Sequence, residues 1–140
     1  MTAMNVKVRL AGDIYALDVD CVLEVLEPSA LSPLPGTAPI VLGLRNLRGR
    51  ILPVFDLGEL LGVGAGRRID PAERYVVVAA DGARIVGLAV DDVTDVLPLS
   101  GDVDPDDEGL LLGSMRADGA LLGLVDVRAV LGMLEGRGGV

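Results

Sequence analysis

The chain contains the stretch Phe55-Asp56-Leu57-Gly58-Glu59-Leu60-Leu61-Gly62 and repeats its pattern 70 residues later as Val125-Asp126-Val127-Arg128-Ala129-Val130-Leu131-Gly132. In both stretches an apolar run reaches an aspartate, further apolar residues follow, and a glycine closes the segment. Aspartate is a preferred helix N-cap, and glycine is the commonest residue just past a helix C-terminus. The pattern therefore predicts a strand followed by a short helix at both places, ending at Gly62 and at Gly132.

The duplication extends over the rest of the chain. Gly12-Asp13-Ile14 before residues 22–26 corresponds to Gly82-Ala83-Arg84 before residues 93–97, with one gap residue in the alignment. Two copies of a repeat this long favour two similar small subdomains over a solenoid, which needs at least three stacked units. We expect a single domain over residues 1–140, with subdomains at about 1–66 and 67–140.

The first 26 residues predict a hairpin and one ambiguous segment. Apolar and charged residues alternate over 6–10, and Gly12-Asp13 then supplies a turn, which is typical of a β-hairpin. Residues 21–26 fit either a short helical turn leading into a strand or a bulged strand. Periodicity does not choose between these alternatives.

Residues 40–44 and 51–55 predict two further strands, on either side of an Arg48-Gly49-Arg50 turn. Pro53 lacks a backbone donor, so its strand is expected to be an edge or bulged one. Similar short strands recur in the second half of the chain, with glycine-rich turns between them. This arrangement favours a mainly β fold of paired small barrels.

Composition excludes several functions. The formal net charge of −9 argues against a nucleic-acid partner, because phosphate binding needs a basic surface. Histidine is absent, so the commonest general base and metal ligand is missing. Lysine occurs once, and arginine, which suits bidentate recognition of carboxylates, supplies nearly all the positive charge.

The chain is expected to be cytoplasmic. Its mean hydropathy is +0.53, but charges or prolines interrupt every apolar run before the roughly 18 to 20 residues that a membrane-spanning helix needs. The N-terminus lacks the apolar core of a signal peptide. A single cysteine excludes an internal disulfide framework and fits a reducing compartment.

Reactive groups are few, and each has a simpler structural explanation. Cys21 has no imidazole to activate it and is interpreted as a small buried hydrophobe. The carboxylate pairs Asp91-Asp92 and Asp18/Asp20 could do acid-base work, but a solvated face or a turn explains them better. An enzyme that uses carboxylates alone stays open as an alternative hypothesis.

Two loops mimic ligand-binding motifs without matching them. Asp102, Asp104 and Asp106 occupy the first three positions of a calcium loop, but Asp107 stands where that loop requires glycine and Gly113 where it requires glutamate. We interpret residues 102–108 as an acidic exposed loop. Residues 62–66, which are glycine-rich, follow a helix rather than a strand and are interpreted as a linker rather than a phosphate loop.

The strongest motif is Gly43-Leu44-Arg45-Asn46-Leu47-Arg48-Gly49-Arg50-Ile51-Leu52-Pro53-Val54-Phe55-Asp56-Leu57, which resembles the signature of the CheW family of chemotaxis coupling proteins. Residues 10–25 resemble the opening hairpin of that family and its Val-x-Glu-Val element. Residues 85–93 resemble its Val-Gly-Leu-x-Val-Asp strand. The resemblance implies two pseudo-repeated five-stranded SH3-like β-barrels, with a short helix after each fifth strand.

The resemblance also implies a function. Members of the family are adaptors without catalytic activity or cofactor, and they join the cytoplasmic tip of chemoreceptors to the regulatory domain of a CheA-type histidine kinase. By motif match, Arg48 is the receptor-contacting arginine, Asn46 and Gly49 shape its turn, and Val22 and Glu24 lie in an element tied to partner binding. The candidates for the apolar kinase contact, or alternatively for barrel packing, are Leu44, Leu47, Ile51 and Val54.

This hypothesis requires Arg48 to be available to a partner rather than locked inside an intramolecular ion pair. It also implies a cytoplasmic protein that is recruited to membrane-associated receptor arrays without inserting into the membrane. Relatives serve chemosensory systems with outputs other than flagellar motility, so a CheW-like interaction module in such a pathway is an alternative. A third alternative is a barrel that binds a small ligand.

Overall fold

The computed structural model describes residues 3–35, 39–63, 70–105, 109–117 and 119–136. Within these ranges the chain forms short strands, two α-helices and two 3-10 helices, Val19–Cys21 and Pro71–Glu73. The α-helices are α1 (Leu57–Leu60) and α2 (Val127–Gly136). The strands are β1 (Ala3–Leu10), β2 (Asp13–Asp18), β3 (Val22–Leu26), β4 (Val41–Leu47), β5 (Arg50–Asp56), β6 (Tyr75–Asp81), β7 (Arg84–Val90), β8 (Asp92–Leu99), β9 (Asp104–Pro105), β10 (Leu111–Ala117) and β11 (Ala120–Val125).

The first elements combine local preferences that the sequence left open. The predicted opening hairpin is confirmed, with Leu10 opposite Asp13 at the end of β1 and β2. The segment after it contains both alternatives: a turn of 3-10 helix, then β3, whose pairing with β6 shifts register between Val22 and Glu24. The helical turn and the bulge therefore occur one after the other.

Strand β5 corrects the expectation for Pro53. It lies between β7 and β4, so the prediction of an edge strand is wrong. The proline is tolerated because β5 pairs with β7 only over Val54, Phe55 and Asp56. The register shift of the β4–β5 pair falls on β4, between Val41 and Gly43.

Helix α1 follows the predicted punctuation. Asp56 Oδ1 accepts a hydrogen bond from the backbone N–H of Glu59 at 3.2 Å, as an N-cap should. The chain leaves the helix through Gly62, whose φ of +76° suits glycine. Both predictions for this helix are confirmed.

Helix α2 begins as predicted but does not end as predicted. Asp126 Oδ1 accepts a hydrogen bond from the N–H of Ala129 at 3.0 Å, which confirms the cap. The helix then continues through Gly132 to Gly136, so the predicted stop is wrong. Tertiary packing overrides the glycine, because four apolar side chains at helical spacing are buried on both sides of it: Val127, Val130, Leu131 and Leu134.

The strands form two sheets, and each sheet contains strands from both copies of the repeat. The five-stranded sheet has the order β3-β6-β7-β5-β4, and the six-stranded sheet has the order β8-β1-β2-β11-β10-β9. The first hairpin of each copy thus lies in the sheet that holds the rest of the other copy. The sheets do not follow the sequence halves, and the predicted boundary near residue 66 lies outside the described residues.

Apolar packing is divided among three clusters. The largest cluster lies between the sheets and joins β1 and β2 to β6, β7 and α2. A second cluster fills the five-stranded sheet around Leu52, Val54 and Val76, and a third fills the six-stranded sheet around Leu99, Met115 and Leu122. The predicted class, mainly β with two small barrels and a helix after the fifth strand of each, is confirmed, with β9 as an additional two-residue strand.

A candidate partner-binding site on the five-stranded sheet

The candidate site begins with the tight turn between β4 and β5. Leu47 lies opposite Arg50, so Arg48 and Gly49 form a two-residue hairpin loop. Both have positive φ, +50° and +84°, which is the backbone geometry of the turn that best fits a twisted hairpin. Asn46 Oδ1 accepts a hydrogen bond from the N–H of Gly49 at 2.9 Å. Asn46 and Gly49 therefore fix the turn and hold Arg48 at its tip.

Arg48 is engaged by Glu24 of β3. One guanidinium nitrogen, Nη1, donates to Glu24 Oε1 at 3.2 Å, and the other, Nη2, donates to Oε2. The expectation of a guanidinium with no intramolecular partner is therefore wrong, because the β4–β5 turn faces the edge strand β3. The pair is nevertheless at the surface, with the Arg48 side chain 72% exposed and that of Glu24 29% exposed.

The pair shifts the titration of both groups. The hydrogen bond from Arg48 lowers the pKa of Glu24, and the positive charge acts in the same direction. The reciprocal hydrogen bond from Glu24 raises the pKa of Arg48. Both side chains therefore stay charged at neutral pH, and the surface offers a carboxylate and a guanidinium side by side.

An open groove of about 290 Å³ adjoins this pair. It lies where the edge strand β3 approaches the β4–β5 hairpin. Ile51 and Leu23 are 65% and 58% exposed at its margin, so the groove combines apolar surface with the ion pair. We call it the Arg48 groove; its lining includes Leu23, Glu24, Leu47, Arg48, Ile51 and Ile85.

The remaining predicted site residues lie in different surroundings. Val54 is fully buried in the cluster of the five-stranded sheet, so its place is in barrel packing and it cannot touch a partner. Val22 is partly buried and packs against the main core, and Leu47 packs partly against the second cluster. Leu44 is partly exposed, and its backbone exchanges two hydrogen bonds of 2.8 Å with Ser32.

Sequence reasoning missed two residues of the groove. Leu23 was overlooked because the bulge in β3 changes which side chains face outward, and the apolar pattern of 22–26 does not reveal it. Ile85 comes from the second copy of the repeat and reaches the groove because β7 lies beside β5. No signal within either copy predicts that exchange of hairpins.

The other chemical candidates have structural surroundings. Cys21 is 5% exposed, and burial raises the pKa of its thiol, which fits a small core residue. Asp91 Oδ2 accepts a hydrogen bond from the N–H of Ala11 at 2.9 Å, and Asp92 Oδ1 accepts one from Val93. These two carboxylates hold backbone groups where β7 passes into β8.

The structure gives no support to a metal site or a membrane-spanning segment in the part of the chain that it describes. Over residues 3–35, 39–63, 70–105, 109–117 and 119–136, no three metal-ligating side chains are grouped. Asp106 and Asp107 of the acidic loop lie outside these ranges. No helix in the same ranges is both long and apolar enough to cross a bilayer.

Comparison with known proteins assigns the chain to a family. A family model described as "CheW-like domain" matches residues 6–135. Because the match covers nearly the whole chain and the fold agrees, this chain belongs to the CheW-like family, whose members are scaffold proteins of chemotaxis.

Three relatives illustrate the similarity. The chain is 30% identical over 131 residues to "Chemotaxis protein CheW" of Rhizobium meliloti, covering 87% of this chain and 83% of the relative. It is 37% identical over 108 residues to "Protein FrzA" of Myxococcus xanthus, covering 70% and 64%. The crystal structure of the scaffolding protein TtCheW from Thermoanaerobacter tengcongensis superposes with a TM-score of 0.78 at 26% identity, covering 89% of each chain.

Proposed function

We propose that this protein is a non-catalytic adaptor that couples the cytoplasmic tip of chemoreceptors to the regulatory domain of a CheA-type histidine kinase. Family membership supports the general role. The observation that carries the specific role is the Arg48–Glu24 pair, held at the tip of a rigid hairpin and beside exposed apolar surface. Such a protein works in the cytoplasm and is recruited to receptor arrays through its partners.

In this proposal the receptor contact is polar and specific. Arg48 and Glu24 present one donor fork and one carboxylate, so a receptor helix that carries both charges can bind them together. Excluding water on binding strengthens these interactions relative to the exposed pair. Asn46 and Gly49 act by fixing the turn, and Val22 acts by anchoring β3 to the core.

The kinase contact is apolar in this proposal. Ile51, which is 65% exposed, is its central residue. Leu47 and Leu44 add partly buried apolar surface on the same hairpin. Val54 is not included, because it has no surface to offer.

The test measures two affinities for a set of single variants. Arg48→Ala and Glu24→Ala are each expected to weaken binding to a receptor cytoplasmic fragment by at least about tenfold. Both variants should keep their affinity for the kinase regulatory domain, and Ile51→Asp should show the opposite pattern. Isothermal titration of each purified variant against each partner gives the affinities.

Arg50→Ala is the matched control, because Arg50 is an exposed arginine on the same hairpin. It is expected to bind both partners like the unchanged chain. Melting temperatures of the four variants should stay within about 3 °C of the original, as for other surface substitutions. Receptor binding that survives Arg48→Ala, or that is lost only together with a large drop in melting temperature, would falsify the proposal.

A second candidate function is a CheW-like interaction module in a chemosensory pathway whose output is not flagellar motility. The similarity to Protein FrzA, a relative that does not bear the name CheW, favours keeping it. The two candidates share the surfaces described above. Deletion of the gene followed by swimming assays and surface-motility assays separates them.

A further inference from the structure

One end of the five-stranded sheet is covered by the chain itself. Ser32 bridges to Leu44 of β4, with both backbone hydrogen bonds at 2.8 Å. The segment crosses so closely that a Cβ on Gly43 would lie 2.6 Å from Ser32 O and 3.1 Å from Leu31 Cβ. Leu31 and Leu42 both pack against the buried cluster of this sheet. This end, which we call the Gly43 end, is therefore filled by apolar side chains of the same molecule.

The six-stranded sheet has the same construction at its corresponding end. Asp104 lies opposite Ser114 of β10 in the place that Ser32 occupies against β4. A Cβ on Gly113 would come within 2.9 Å of Val103 Cγ1, as one on Gly43 would approach Leu31. Val103 is therefore the counterpart of Leu31. We call this the Gly113 end.

The Gly113 end is not filled. Val103 is 45% exposed, and Leu112, the counterpart of Leu42, is 54% exposed. A cavity of about 240 Å³ opens there. We call it the Val103 groove; its lining includes Asp18, Leu99, Val103, Leu112, Met115 and Leu124.

The two ends also differ in charge. Asp18 lines the Val103 groove, and Asp102 and Asp104 flank Val103 on either side in the sequence. The corresponding positions of the Gly43 end are uncharged: Ala89, Ala30 and Ser32. Among the described residues, the lining of the Val103 groove includes no lysine or arginine. The open end is thus acidic and the filled end is neutral.

We infer that the Val103 groove is a docking site for a cationic segment of another protein, which inserts one branched apolar side chain between Val103 and Leu112. The Gly43 end shows the kind of group that fills such a space, because Leu31 fills it there. Lysine or arginine residues beside the inserted side chain pair with the three aspartates. This surface is separate from the Arg48 groove, so the inference goes beyond the function proposed above.

The probe for this site is the peptide acetyl-Lys-Lys-Leu-Lys-Lys-amide, titrated into the ¹⁵N-labelled full chain and followed by NMR. Chemical-shift changes are expected on residues 99–104 and 111–115, and few elsewhere. A peptide with serine in place of leucine should bind at least about tenfold more weakly, because it has nothing to insert. The assay needs neither a receptor nor a kinase, so its failure leaves the adaptor function untouched.

Two variants test the two parts of the site. Val103→Leu supplies the larger side chain found at the Gly43 end and should weaken peptide binding at least about tenfold by filling the groove. The double variant Asp102→Ala/Asp104→Ala should weaken it to a similar degree. The double variant Glu59→Ala/Glu73→Ala removes the same charge from exposed positions elsewhere and should change the affinity by less than about twofold.

Three outcomes would overturn the inference. Shifts spread over the whole surface, or equal losses in both double variants, would mean general attraction to an acidic protein. Binding that Val103→Leu leaves unchanged would mean that the groove is not used. A concentration-dependent dimer in sedimentation analysis that Val103→Leu dissociates would mean that a second copy of the chain, not a cationic partner, occupies the groove.

Discussion

Glu24 and Arg48 lie on separate elements, and their contact gives the exposed site a measurable electrostatic property. The hydrogen bond from Arg48 stabilises the carboxylate, so the pKa of Glu24 should lie below its ordinary value of 4.5. The stabilisation from the pair is therefore fully present above the pKa of the unfolded chain, and it is lost as the pH falls through the lower pKa of the folded chain. A carbon-detected NMR titration of the Glu24 carboxyl group measures the shift directly.

Arg48→Ala should return the pKa of Glu24 toward 4.5, because it removes the main cause of the shift. Arg50→Ala should leave it unchanged, since Arg50 is on the same hairpin but has no described bond to Glu24. A Glu24 pKa at or above 4.5 in the unchanged chain would show that the pair does not persist in solution.

A second ion pair, between Asp56 and Arg74, is buried and belongs to the core rather than to the binding surface. Arg74 Nη1 lies 2.9 Å from Asp56 Oδ2, and the two side chains are only 8% and 18% exposed. Asp56→Ala leaves a buried guanidinium beside a methyl group and also removes the cap of α1. We expect a loss of about 3 to 5 kcal/mol in the free energy of unfolding, measured by urea denaturation.

Asp126→Ala is the matched control, because Asp126 caps α2 in the same way. It should cost only about 1 kcal/mol, the usual value of a cap. Equal losses for the two variants would show that the Asp56–Arg74 pair contributes nothing beyond the cap.

At the scale of the elements, helix α2 shows how packing can override a local signal. Gly132 is exposed in the middle of the helix, and a Cβ there would meet no atom within 4 Å. Gly132→Ala should therefore raise the free energy of unfolding by about 0.5 to 1 kcal/mol, because alanine favours the helix and restricts the unfolded chain. Urea denaturation measures the change.

Gly87→Ala should have the opposite sign. A Cβ at Gly87 would lie 2.7 Å from Val76 Cγ1 and 3.2 Å from Leu52 Cδ2, inside a filled core. The substitution forces these side chains apart and should destabilise the fold by about 1 to 3 kcal/mol. A destabilising Gly132→Ala would mean that the helix does not continue through this position.

The same elements show what the sequence could predict. The β4–β5 hairpin was predictable because two short strands and the turn between them are local, and Asn46 and Gly49 set the turn chemistry. The caps Asp56 and Asp126 were predictable for the same reason. The Arg48–Glu24 contact was not, because it joins residues 24 positions apart through the position of β3 beside the hairpin turn. Likewise, Ile85 reaches the Arg48 groove only through long-range pairing.

At the scale of the whole molecule, the exchange of hairpins decides which parts can fold alone. Strands β6 and β7 of the second copy lie between β3 and β5 of the first. Likewise β1 and β2 lie between β8 and β11. The two parallel joins, β5 with β7 and β2 with β11, each connect one copy to the other. Neither half therefore contains a complete sheet, although the repeat predicts two subdomains.

This arrangement predicts the behaviour of the separated halves. Fragments 1–66 and 67–140 should each be unfolded alone, because each lacks the middle strands of the sheet that holds most of its own strands. Mixed together, they should pair β5 with β7 and β2 with β11 and recover the spectrum of the intact chain, since the covalent link is not needed for these contacts. Circular dichroism and ¹H–¹⁵N NMR of the fragments, alone and mixed, give the answer. A dispersed NMR spectrum from fragment 1–66 alone would contradict the exchange and favour two subdomains that follow the sequence halves.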